Sequence, residues 1–122
     1  MASIPDLNVA DVAAEFVRIA SVNPMGHADV ELAPPYGEAA LAGHVARLLR
    51  SLGGQVDTIE VSPGHPNVTA FFDFGAPETI LFEAHLDTVP VEGMTVSPFG
   101  GEIREGRLWG RGACDVKGPM AA

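Results

Sequence analysis

Apolar positions fall at helical spacing twice near the start of the chain. Residues 9–20 place Val9, Val12, Ala13, Phe16, Ile19 and Ala20 along one side of a helix, with Asn8 standing where a capping side chain belongs. Residues 38–52 repeat the pattern with Leu41, Val45, Leu48, Leu49 and Leu52, and Gly53 follows at the position of a left-handed C-terminal cap. Between them, Ser21–Gly37 carries Pro24, Gly26, Pro34, Pro35 and Gly37, too many breakers for a regular element. An irregular connection of that length is usually functional or mobile.

After Gly53 the period changes to two. Gln55–Val61 alternates like a strand with one wet face, Ser62-Pro63-Gly64-His65-Pro66 turns the chain, and Asn67–Phe74 reads as a second strand. Thr79–Ala84 is apolar on both faces (Ile80, Leu81, Phe82), which predicts a central strand covered from both sides. Glu102–Arg104 and Arg107–Trp109 flank Glu105-Gly106 and predict a short hairpin. Pro119 suits the first turn of a helix beginning near Gly118. That helix runs for about one turn before residue 122, so the end of the chain is read as premature or artificial. The order of elements predicts an α/β sandwich with ligands at strand exits.

Composition narrows the partners. Seven Lys and Arg stand against sixteen Asp and Glu, a net charge of −9 that repels phosphate backbones and anionic lipid. Nucleic acid and membrane are therefore not expected as partners, and no run approaches the roughly 20 apolar residues of a membrane span. The N-terminus lacks a basic region followed by an apolar core, so no secretory leader is read and a cytoplasmic location is expected. One cysteine forms no internal disulfide. Without a leader, Asn67-Val68-Thr69 is read as a chance match to a glycosylation sequon.

The candidate chemistry lies in two places. His85 leaves the most apolar predicted strand, and Asp87, two residues on, points to the same side. A carboxylate there can accept a hydrogen bond from one ring N–H, fix the tautomer and leave the other nitrogen for a metal. The same residues also read as a hydrogen-bonded strand-end histidine and a turn aspartate. Asp115 follows in Gly110-Arg111-Gly112-Ala113-Cys114-Asp115, a glycine-punctuated turn before a helix, where a helix cap and a metal ligand are both open. Gly110-Arg111-Gly112 lacks the third small residue of a dinucleotide fingerprint, and Lys117 is followed by Gly118, so phosphate loops are disfavoured. Cys114 is expected to be a small buried thiol and His44 to face solvent. His27 and His65 lie in irregular segments with no assigned role. Glu83 reads as a sheet-edge polar residue or a group behind the site, and Trp109 as a packing residue.

Together, the apolar strand, His85-Leu86-Asp87-Thr88-Val89-Pro90, Pro98-Phe99 and Glu105–Gly118 closely resemble the N-terminal part of a family of zinc metallohydrolases. That family comprises acetylornithine deacetylase, succinyl-diaminopimelate desuccinylase, aminoacylase and glutamate carboxypeptidase. The resemblance is loose over the first 75 residues and tight from about Thr79. It implies a three-layer α/β/α sandwich with a mixed, zinc-exopeptidase-like sheet, of which residues 1–122 are the first part of the catalytic domain. It implies two divalent metal ions, zinc with cobalt or manganese as options. His85 would bind one ion, Asp115 would bridge both and precede a cis peptide bond, and Asp87 would act catalytically by orienting His85. The implied reaction is hydrolysis of the amide of an N-acyl amino acid or small peptide, by water activated between the metals and deprotonated by a glutamate. That glutamate, the other ligands and the dimerisation or lid domain of a homodimer would all lie beyond residue 122. An inactive truncated remnant, or a weak metal-binding module, is the alternative.

Overall fold

A computed structural model describes residues 6–25 and 35–122. Gly26, His27 and Pro34 lie outside the described residues. Helix α1 (Val9–Arg18) starts as the pattern predicts: the Asn8 side chain accepts from the backbone N–H of Ala10 and Asp11. Such a cap is worth about 1 kcal/mol. Helix α2 (Ala39–Ser51) presents Leu41, Ala42, Val45 and Ala46 inward, and Gly53 just past it takes φ +91°. Phe16 and Leu41 are fully enclosed where the two helices meet β2 and α3, with Val12 and Val45 beside them. Each large side chain so enclosed stabilises the chain by about 1.5–3 kcal/mol.

Strands β1 (Gln55–Ser62) and β2 (His65–Phe71) form an antiparallel pair with Gln55 opposite Phe71 and Thr58 opposite Val68. The turn is tighter than the proline spacing predicts. It is confined to Pro63-Gly64, Gly64 adopts φ +78°, and β2 therefore begins at His65 and leaves Phe72 and Phe74 beyond its end. Strands β3 (Glu102–Arg104) and β4 (Arg107–Trp109) form the predicted hairpin, with Glu105 and Gly106 both at positive φ (50° and 70°). Trp109 packs as expected, with the Arg104 guanidinium 4.4 Å above its ring. Helix α3 (Gly118–Ala121) carries Pro119 in its first turn.

The expected central strand at Thr79–Ala84 does not form. Ile80, Leu81 and Phe82 are 78%, 85% and 88% exposed, and among the described residues the sheets are the two antiparallel pairs alone. A strand buried on both faces exists only through its neighbours. Among the described residues no strand pairs with this segment, and its extended apolar run stays in water. Helices and antiparallel strands in one chain are compatible with the α/β class. No helix among the described residues is long and apolar enough to cross a membrane.

Two further expectations are corrected. His44 is half-buried, edge-on to Phe16 at 5.8 Å and 3.3 Å from the Glu15 carboxylate, because α1 and α2 close over it. Cys114 is exposed, because the turn that carries it bulges away from the core into the cleft described next.

Candidate metal centre

The stretch that follows α1 organises the site. Ser21 accepts from the Thr88 N–H at 2.9 Å, Asn23 N–H donates to the Thr88 carbonyl at 2.8 Å, and the Ser21 hydroxyl donates to the Leu86 carbonyl at 2.8 Å. This short parallel pairing fixes the residues on both sides of Asp87. The turn bearing Asp115 is fastened to the same place. Lys117 is 1% exposed, and its ammonium donates to the Ile19 carbonyl at the end of α1 (2.6 Å), while its backbone N–H closes the turn onto the Gly112 carbonyl (2.8 Å). Gly112 has φ +84°, and a Cβ there would meet Thr88 Cγ2 at 2.9 Å and Lys117 Cδ at 3.0 Å. Glycine lets the Lys117 stem and Thr88 pack against the same backbone.

These anchors bring together all three residues singled out from the sequence. His85 Nδ1 lies 2.9 Å from the Asp87 carbonyl and 3.2 Å from Asp87 Oδ1, while Nε2 lies 2.9 Å from Asp115 Oδ1. The peptide bond after Asp115 is cis. His85, Asp87, Thr88, Arg111, Cys114 and Asp115 line a cleft of about 250 Å³. Glu83 is exposed and takes no part. His65 instead pairs with Glu38, Nδ1 to Oε2 at 2.6 Å, at the start of α2.

The hydrogen-bond inventory defines the chemistry. A carbonyl only accepts, so Nδ1 must carry the proton, and a neutral ring then presents a lone pair at Nε2. Asp115 Oδ1 is also an acceptor. Two acceptors at 2.9 Å need a positive charge between them: a proton, or a metal cation. In the metal-free chain the proton takes the place. Partial burial pushes the imidazole pKa down, but the Asp115 hydrogen bond, the Asp87 carbonyl and the charges of Asp87 and Asp115 outweigh it and raise the pKa above its ordinary value. Imidazole nitrogen and carboxylate oxygen are the donor types of zinc, cobalt and manganese sites. The residues present thus fit a divalent cation, though only in part. No cluster of three or more such donors occurs among the described residues.

Sequence reasoning missed two residues. Asn23 Nδ2 donates to Asp87 Oδ2 at 2.7 Å, and Lys117 is the buried fastener of the Asp115 turn. The one signal toward Asn23 was the length of the irregular segment in which it lies.

A fixed imidazole thus faces a carboxylate in an open cleft. Residues 81–122 match the sequence profile of peptidase family M20/M25/M40. The succinyl-diaminopimelate desuccinylase of Cereibacter sphaeroides is 36% identical over 113 residues, covering 89% of this chain and 26% of that protein. Its namesake from Gluconacetobacter diazotrophicus is 33% identical over 126 residues, covering 99% of this chain and 29% of that protein. The Beijerinckia indica protein of the same name is 44% identical over 66 residues, 52% of this chain and 17% of its own length. The chain belongs to peptidase family M20/M25/M40 and matches its N-terminal portion. It spans between 17% and 29% of the length of these relatives.

Proposed function

We propose that residues 1–122 are the first part of the catalytic domain of a metal-dependent amide hydrolase, completed elsewhere as a three-layer α/β/α sandwich with a mixed sheet and a dimerisation or lid domain. The observation that carries this reading is the 2.9 Å approach of His85 Nε2 to Asp115 Oδ1 with Nδ1 already committed to Asp87. His85 and Asp115 would hold divalent cations, zinc or else cobalt or manganese, with Asp115 shared between two. Such cations, when bound, supply Lewis acidity toward an amide carbonyl and toward water.

The chain's own residues prepare that chemistry. Asp87 keeps the proton on Nδ1 and the Nε2 lone pair free. Lys117 and Gly112 set the height of the Asp115 carboxylate over the cleft. No glutamate lines the cleft among the described residues, and the family resemblance puts the proton-accepting base beyond residue 122. The substrate class is an N-acyl amino acid or small peptide, in keeping with the names of the relatives, in a cytoplasmic homodimer.

The test is hydrolysis of N-succinyl and N-acetyl amino acids by the gene product containing this chain. Chelation should abolish turnover, zinc or cobalt should restore it, and Asp87→Asn should cost about 10–100-fold. Turnover that survives chelation would overturn the proposal. The 122-residue chain alone should not turn over at any metal concentration. A second reading, a non-catalytic remnant or weak metal-binding module, is favoured by the exposed Ile80–Phe82 run and the two-donor set. A stop codon directly after codon 122 would select it, and a reading frame continuing to further acidic and histidine ligands would dismiss it.

A further inference from the structure

Asp87 has two carboxylate oxygens and two neighbours that use them differently. Oδ1 faces His85 Nδ1 at 3.2 Å, and Oδ2 accepts from Asn23 Nδ2 at 2.7 Å. The orientation of the Asn23 amide is set independently, because Oδ1 of Asn23 accepts the Met25 N–H at 2.8 Å. With its acceptor taken by a donor, the amide must turn its NH₂ toward Asp87. Asn23 is itself held by main-chain pairing, its N–H donating to the Thr88 carbonyl at 2.8 Å. The side chain thus stands on a backbone anchor that does not depend on its chemistry.

We propose that Asn23 is a positioning residue that holds one oxygen of Asp87 so that the other stays on His85 Nδ1, selecting the ring tautomer whose Nε2 lone pair faces Asp115. A carboxylate held only by its own backbone can rotate about its last torsion, which is broad and roughly two-fold. Asn23 removes that freedom. Without it, only the Asp87 backbone carbonyl, 2.9 Å from Nδ1, still favours the Nδ1–H form, Asp115 at Nε2 competes for the single proton of the neutral ring, and the Nε2–H share gains. The same change would weaken cation binding, because the lone pair needed at Nε2 is then occupied. Only this second consequence rests on the metal-site reading.

The tautomer can be read in the metal-free 122-residue chain by nitrogen-15 NMR of His85, at a pH above the midpoint that the same titration locates, where the ring is neutral. The unaltered chain should show mainly Nδ1–H. Asn23→Ala should raise the Nε2–H share several-fold, while the Ser21 and Thr88 amide signals stay in place and report an intact ladder. Asn23→Asp keeps the shape but brings a second carboxylate against Asp87, so it should shift the tautomer at least as far. Titration with zinc then supplies the second arm. Asn23→Ala should weaken affinity by roughly 3–10-fold, less than the 10–100-fold typical of a direct partner. Adding Asn23→Ala to Asp87→Asn should cost little more than Asp87→Asn alone, since both act through one carboxylate. An unchanged tautomer ratio in both Asn23 variants, with the ladder signals intact, overturns the proposal. So does full additivity with Asp87→Asn. If the unaltered 122-residue chain, which has only two of the proposed donors, binds zinc too weakly to measure, the tautomer ratio alone decides the role of Asn23.

Discussion

His85 Nε2 and Asp115 Oδ1 approach to 2.9 Å although 30 residues separate them, and neither atom has a proton of its own to offer once Nδ1 holds the ring hydrogen. On the proposed metal-site reading, the contact is a site of competition between a proton and a metal. The folded pKa of His85 is raised, so the pair stabilises the metal-free chain fully below the ordinary imidazole pKa, and this contribution is lost as pH rises through the raised value. Cation binding runs the other way. Below the raised pKa, one proton must leave for each cation bound, and zinc affinity should fall by about tenfold per pH unit. Calorimetry in buffers of different ionisation enthalpy would measure that proton. Asp115→Asn, which removes the charge, should lower the His85 pKa. An NMR titration showing it unmoved would break the link.

Lys117 makes the opposite linkage. Burial lowers its pKa from 10.5 to about 8, its ammonium having the Ile19 carbonyl as hydrogen-bond partner. The unfolded chain then binds more protons than the folded one between these values, so stability should rise with pH from about 8 to 10.5. The full effect is on the order of 3 kcal/mol. Lys117→Met keeps most of the stem and should abolish this rise. Denaturant melts of both chains across that window would show it, and a constant difference between them would contradict it.

The two large phenylalanine environments give a contrast in stability. Phe16 is enclosed by α1 and α2, whereas Phe82 is 88% exposed. Phe16→Ala should cost about 3–5 kcal/mol and leave the 122-residue chain largely unfolded. Phe82→Ser should stay within about 0.5 kcal/mol and improve solubility by breaking an apolar run. A loss of several kcal/mol at Phe82 would mean that the segment is covered in solution.

What the sequence reveals about this fold depends on how local the signal is. Helix α1 was legible because its stripe, its Asn8 cap and its end all lie within ten or so residues, and the β3–β4 hairpin because Glu105-Gly106 is a local turn signal. His85, Asp87 and Asp115 were singled out by residue type and spacing, and the fold brings them together although the strand whose alternation suggested the first two does not form. Thr79–Ala84 failed for the opposite reason. An apolar run encodes the surroundings a strand requires, and those surroundings are not among the described residues. Asn23 was invisible because its role comes from pairing with residues 64 positions away, and an irregular segment has no period to betray it.

Gly112 joins the local and the long-range parts of the site, and its substitution tests both. Its φ of +84° penalises any side chain, by roughly 1–2 kcal/mol for alanine. A Cβ would also fall within 2.9 Å of Thr88 Cγ2 and 3.0 Å of Lys117 Cδ, so one of those packed groups must move. Gly112→Ala should therefore cost about 2–4 kcal/mol in total, more than the φ penalty alone. The displacement has a direction. Pushing on the Lys117 stem strains its bond to Ile19 and lifts the turn that carries Asp115, lengthening the contact with His85. The His85 pKa should then drop toward its ordinary value in Gly112→Ala, even though neither residue of the pair has been altered. If stability falls but the His85 titration stays where it was, the turn is held by something other than Lys117.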